Sequence, residues 1–176
     1  MKQHVYGLLA LLLCTGAGAQ APAAQAPNAT SPTEAVADYF SASFLADHVP
    51  ALMEKARAGD GTGTLVLKRF PGNYMNLMVR TKTGIGEMHA EWSDVLVILD
   101  GEADIITGGT LVDMTDGRGG ESRGSRTEGG THHVMHKGDV IHIMPGVAHW
   151  TVLPPGGTFT FFAVKIEVPK QAAAGK

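Results

Sequence analysis

The sequence has little cysteine, little charge and few aromatic residues. Cys14 is the only cysteine among 176 residues, so no disulfide can form within the chain. Charged residues make up 18%, with 14 Lys and Arg against 17 Asp and Glu, which leaves no basic stripe of the kind that binds nucleic acid. Stability must therefore come from packing, and 44% apolar residues are enough for the core of one domain.

Long hydrophobic runs are also lacking. The apolar stretch from Val5 to Leu13 is too short for a stable membrane span. Lys2 precedes it and Ala17 to Ala19 follow it, a pattern typical of an export signal with its cleavage site. We expect residues 1–19 to be a signal peptide and the mature protein to be periplasmic or secreted. A membrane anchor and a lipid on Cys14 are the alternatives.

The segment after the predicted signal peptide changes composition twice. Residues 20–31 are rich in Ala, Pro and small polar residues, which predicts a disordered linker. Ser31, Pro32 and Glu34 form a helix-start pattern, and Pro50 and Gly59 bound a second helical stretch from about residue 48 to 58. We therefore expect a helical segment over 32–60, a β domain over 61–170 and a short tail over 171–176.

The β domain is predicted from short segments rich in Val, Ile, Leu, Phe and Thr, each bounded by turn residues. These segments are 64–69, 74–80, 86–91, 94–99, 102–107, 131–136, 139–144, 148–153 and 158–168. Their number and length are typical of an antiparallel sandwich or small barrel. Residues 113–130 contain six glycines and three arginines, which predicts an exposed, mobile loop.

Histidines and carboxylates occur at spacings that could form a metal site. Glu87, His89 and Glu91 are two residues apart, so a strand would direct all three to one face. Asp94 follows them, and His149 lies on a separate strand-like segment. Imidazole and carboxylate groups brought to one wall from separate strands would suit a single divalent ion.

These residues also resemble the motifs of the cupin superfamily over about residues 64 to 168. Asp94, followed by six residues and Gly101, matches the second half of the first cupin motif, with Asp in place of Glu. Counting back places His89 at the second histidine of that motif and Glu87 at the first. The second motif is matched by Gly138, Gly146 and His149, with Met144 and Leu153 where Pro and Asn are usual.

The resemblance implies an all-β cupin-type double-stranded β-helix, or jelly-roll barrel, with a short N-terminal helical extension. Glu87, His89, Asp94 and His149 would then bind a divalent metal such as Fe, Mn, Ni or Zn, beside a small-molecule ligand. A dioxygenase, isomerase or lyase would fit this arrangement. A binding or sensing module without turnover, and a metal-free structural domain, are the alternatives. By analogy with the fold, the early strands would form a homodimer interface.

The sequence leaves the roles of four further histidines undecided. His132, His133 and His136 look like a second metal cluster, but a regular strand would direct His133 to the opposite face from the other two. We interpret these three histidines as exposed side chains at a solvent-facing edge. His142 alternates with Ile141 and Ile143, so it is either an interior neighbour of the site or an exposed residue.

Overall fold

The computed structural model describes residues 37–168. The predicted signal peptide (1–19), linker (20–31) and C-terminal tail (171–176) lie outside the described residues. No helix in the described range is long and apolar enough to cross a membrane.

Among residues 37–168 one helix precedes the strands, and the predicted helix start at Ser31, Pro32 and Glu34 lies outside the described residues. Helix α1 runs continuously over Ala42–Ala58, and the Phe44 amide donates to the side chain of its N-cap, Ser41. Residues 37–41 are not helical, so the predicted start near Ser31 is not continuous with α1. The prediction that Pro50 marks a second start was wrong. Pro50 lies inside α1 on the exposed side, where water can solvate the carbonyl that lacks its helical partner.

The rest of the described chain is built from short strands. In chain order they are β1 (Thr62–Phe70), β2 (Asn73–Arg80), β3 (Gly86–His89), β4 (Trp92–Gly101), β5 (Ala103–Thr107), β6 (Thr110–Val112), β7 (Thr115–Asp116), β8 (Glu121–Gly124), β9 (Arg126–Glu128), β10 (Thr131–Met135), β11 (Val140–Ile143), β12 (His149–Val152) and β13 (Phe159–Glu167). The nine predicted segments correspond to β1–β5 and β10–β13 to within a few residues, whereas β6 to β9 were not predicted.

Two large antiparallel sheets form the barrel. One has the strand order β1-β2-β13-β4-β11 and the other β10-β5-β12-β3-β8-β7, while β6 and β9 form a small ribbon. The main core contains residues from both large sheets, including Ile98, Ile105 and Phe159. The predicted all-β jelly-roll fold with a short helix is confirmed.

The segment 113–130 is not a long loop, and that prediction was wrong. It contains β7, β8, β9 and the short 3-10 helix Arg118–Gly120. Strand β8 pairs with β3 along its length, and Ser122 on it is buried. Its glycines serve this packing, because a Cβ at Gly124 would lie 2.5 Å from the Val112 carbonyl oxygen.

Helix α1 covers the outer face of the first sheet. Leu52 of α1 packs with Leu77 and Val79 of β2 in a second buried cluster. The helix approaches so closely that a Cβ at Gly63 would lie 2.2 Å from the Leu52 carbonyl oxygen.

Replacing Leu77 by Ala is expected to lower the free energy of unfolding by about 2–5 kcal/mol, because Leu77 is fully buried under α1. Val66→Ala on the neighbouring strand is the control, with an expected cost within about 0.5 kcal/mol, because Val66 is 48% exposed. Urea unfolding monitored by circular dichroism measures both values. Equal costs for the two variants would contradict this view of how α1 packs.

Candidate metal centre and its cavity

Strand register brings the candidate site together from both sheets. In the first sheet, Lys165 of β13 pairs with Asp94 of β4 on one side and with Tyr74 of β2 on the other. In the second sheet, His149 of β12 pairs with Glu87 of β3, and His89 pairs with Glu121 of β8. The side chains of these rows face the space between the sheets, where all of them line one cavity.

In each of the two imidazoles Nδ1 makes a hydrogen bond, and Nε2 points toward Asp94. His89 donates from Nδ1 to Glu121 Oε2 at 2.7 Å, because a carboxylate can only accept. His149 donates from Nδ1 to the Val147 carbonyl oxygen at 3.2 Å. Both side chains therefore present an unprotonated Nε2, with the ring orientation held by the other nitrogen.

Both Nε2 atoms approach the same carboxylate oxygen. Asp94 Oδ2 lies 3.4 Å from His89 Nε2 and 3.7 Å from His149 Nε2. All three residues are buried, with 4–7% of their surface exposed. Donor atoms that share one ion at about 2.0–2.3 Å each lie about 3–4 Å apart, so these separations fit a common ligand sphere.

Glu87 supplies a second carboxylate beside the imidazoles. One ligand atom each from Glu87, His89 and His149 lie within 4.8 Å of one another. The four residues predicted as metal ligands are thus close together, with Asp94 and Glu87 as two carboxylates beside one pair of histidines. The third residue of the strand pattern, Glu91, lies beyond the end of β3 and does not line the cavity.

A lysine ammonium lies within the same group of atoms. Lys165 Nζ donates to Asp94 Oδ2 at 2.6 Å and to His89 Nε2 at 2.7 Å. The other oxygen of Asp94, Oδ1, is buried and has no hydrogen-bond partner. Lys165 thus supplies the positive charge that the buried Asp94 carboxylate needs.

The charges of the site follow from its burial and its contacts. Burial would raise the pKa of Asp94, but the close contact with His89 and the charge of Lys165 hold that pKa below its ordinary value. Burial lowers the pKa of His149. At neutral pH, Asp94 is therefore ionised and His149 is neutral, which are the states in which both bind metals.

The same carboxylates affect the pKa values of His89 and Tyr74. Burial would lower the pKa of His89, but the hydrogen bond and charge of Asp94, with help from Glu121, leave it raised. Burial and the negative charge of Asp94 raise the pKa of Tyr74. The Tyr74 hydroxyl keeps its proton at neutral pH and can act as a hydrogen-bond donor toward a bound molecule.

The cavity beside these groups has a volume of about 450 Å³. Many of the lining residues are polar, while Leu96, Phe161 and Ala163 contribute apolar surface. Arg80 and Thr83 line another part of the wall. A cavity of this size holds a small organic molecule beside the candidate metal ligands.

The remaining histidines do not belong to the site. His132, on the edge strand β10, bonds Asp104, and His136 lies nearest Glu102; both are exposed. His133 hydrogen-bonds the Thr107 hydroxyl at 2.9 Å. His142 is exposed on β11, which decides between the two alternatives for that residue.

Sequence analysis missed two residues that contact His89. Glu121 was missed because its segment was interpreted as a loop. Lys165 carried a usable signal: it has the same strand parity as Phe161 and Ala163, and a lysine at an inward position of a strand is unusual.

Comparisons with known proteins concern the fold. No protein-family model and no curated protein sequence matches the chain. One similar solved structure is a cupin-like protein from Thermotoga maritima, with 15% identity over 61% of this chain and 69% of that chain and a TM-score of 0.45. Another is a cupin 2 conserved barrel domain protein from Salinispora arenicola, with 18% identity over 63% and 83% and a TM-score of 0.43.

The polyketide cyclase RemF from Streptomyces resistomycificus is also similar, with 16% identity over 66% of this chain and 73% of that chain and a TM-score of 0.44. Likeness at this level carries no argument about function, which must come from the side chains of this chain. The chain has an antiparallel two-sheet jelly-roll topology, as the resemblance to the cupin superfamily found in the sequence implied.

Proposed function

We propose that this chain binds one divalent transition-metal ion with His89, His149 and Asp94, with Glu87 as the additional carboxylate. The observation that carries this proposal is the convergence of two unprotonated imidazole nitrogens on one ionised, buried aspartate oxygen. Two imidazoles and one or two carboxylates suit Fe(II), Mn, Ni or Zn. The Glu121 carboxylate behind His89 has the arrangement that commonly orients a metal-binding histidine.

The cavity supports a role in chemistry on a small organic molecule. When bound, the ion would act as a Lewis acid on an oxygen atom of that molecule. Tyr74 and Lys165 line the same cavity and can hold or donate protons beside it. We therefore favour an isomerase or lyase over a dioxygenase, since proton transfer to or from the bound molecule is the step these side chains can support.

A metal-free function is the second candidate, and Lys165 is the observation that favours it. Its ammonium already neutralises Asp94 and occupies the Nε2 lone pair of His89. In that state the cavity would serve as a binding or sensing site, or the domain would be purely structural. Export and the homodimer predicted from the sequence remain predictions.

The metal content of the full-length protein, purified without chelator and measured by inductively coupled plasma mass spectrometry, distinguishes the two candidates. We expect about one equivalent of a single transition metal per chain, restored after chelation by adding back the same ion. Protein that neither contains metal nor takes up Fe(II), Mn(II), Ni(II) or Zn(II) in calorimetry would overturn the proposal in favour of the metal-free function.

A further inference from the structure

Arg80 is a guanidinium without a partner in the wall of the cavity. It lies at the end of β2, and its side chain lines the cavity together with the metal-ligand candidates. Its Nε is buried and has no hydrogen-bond partner. Arg80 as a whole is partly buried, and buried polar atoms such as this Nε are ordinarily hydrogen-bonded.

The fold holds this guanidinium in place without an ion pair. A Cβ at Gly84 would lie 2.4 Å from Arg80 Nη1 and 3.0 Å from Cζ, so the planar group sits directly against the glycine backbone. Gly84 is itself fixed, because its amide donates to the Thr151 carbonyl oxygen at 3.0 Å and its carbonyl oxygen accepts from Trp150 Nε1 at 2.8 Å. The guanidinium is therefore positioned before any ligand arrives.

We infer that Arg80 is an anion-binding subsite and that the molecule bound in the cavity is an organic carboxylate. A guanidinium presents parallel N–H donors that match the two oxygens of a carboxylate. A phosphate group can accept from the same donors, so the test below compares the two anions directly.

The position of Arg80 also allows the molecule a second contact. Gly84, against which the guanidinium packs, is three residues before Glu87, a distance of at most about 10 Å along the chain. Because both groups line one cavity, a small carboxylic acid with a second oxygen function could contact Arg80 and the metal-ligand group at once. This second contact rests on the proposed function, whereas anion binding by Arg80 does not.

The test is calorimetric titration with glutarate, with its neutral diamide and with inorganic phosphate as comparisons. We expect the full-length protein to bind glutarate and not the diamide, and Arg80→Gln to weaken glutarate binding at least tenfold. Gly84→Ala should weaken it as well, because the added methyl group displaces the guanidinium. Arg126→Gln, which removes an exposed arginine paired with Glu128, should bind as the unmodified protein does.

Several results would overturn this inference. These are the absence of glutarate binding, equal binding by Arg80→Gln, or phosphate binding that is tighter than glutarate binding and equally dependent on Arg80. Circular dichroism melts verify that the variants are folded. Arg80→Lys keeps the charge but loses the parallel N–H donors, so its glutarate affinity should fall between those of the unmodified protein and Arg80→Gln. Metal content measured on the same samples separates the two proposals: intact glutarate binding by protein that takes up no metal would overturn the proposed function alone.

Discussion

The His149→Ala variant is expected to lose metal affinity by at least about 100-fold, because it removes one of the two neutral imidazole ligands from the site. The orientation of the His149 ring depends on no other side chain, because its Nδ1 donates to the backbone carbonyl oxygen of Val147. Its partner His89 remains in place through Glu121, so the rest of the wall should persist. We expect the free energy of unfolding to change by only about 1–3 kcal/mol.

His136→Ala is the matched control for this result. His136 is an exposed histidine that lies near Glu102 and Asp139, outside the cavity. Metal content and calorimetric affinity should be the same for His136→Ala and the unmodified protein. If both variants retain metal equally, His149 is not a ligand and the proposed site is wrong.

The Lys165→Met variant is expected to change metal affinity and metal-free stability in opposite directions. An ion bound to both His89 Nε2 and Asp94 Oδ2 would lie within about 4 Å of the present position of Nζ, so the ammonium must move away when a metal binds. Methionine has a similar length and no charge. Removing the competing cation should raise metal affinity at least about tenfold.

Without metal, the same variant should be less stable by about 3–5 kcal/mol, because Asp94 would be a buried carboxylate without its cation. Adding Asp94→Asn to Lys165→Met should restore part of this stability and abolish the gain in metal affinity. Lys137→Met, at an exposed turn, is the control and should alter neither quantity.

Chemical unfolding in chelator, together with metal titration of each variant, measures both effects of Lys165. A Lys165→Met protein that binds metal no better than the unmodified chain would show that ammonium and metal do not compete. Loss of metal binding in that variant would mean instead that Lys165 is itself a ligand through a neutral amine, and the ligand set would have to be revised.

Much of the barrel could be predicted because most strands have a recognisable local pattern of apolar and turn residues. Alternating apolar residues between turn residues located most strands to within a few residues, and the same alternation places Glu87 and His89 on one face. The boundaries of α1 were harder to predict. Ser41 and Ser31 are both plausible caps, and an exposed proline inside a helix resembles a helix start.

The loop predicted for residues 113–130 was wrong because the amino-acid composition of a segment does not show which strand the segment pairs with. Six glycines in eighteen residues suggest mobility. Here some of them allow β8 and its neighbours to pack closely, and the pairing with β3 supplies the hydrogen bonds that order the segment. Glu121 reaches His89 only through this pairing, so the carboxylate behind the imidazole could not be found from local sequence.

The sequence by itself determined the fold class, the strand parity and the four residues proposed as metal ligands, since each depends on spacing within a strand or a short motif. Only the tertiary structure decided which groups meet them. Lys165 and Glu121 reach His89 from 76 and 32 residues away, and Arg80 lies unpaired in the wall of the same cavity. Such contacts depend on the register of strands distant in the chain and on the packing of two sheets, which no local pattern encodes.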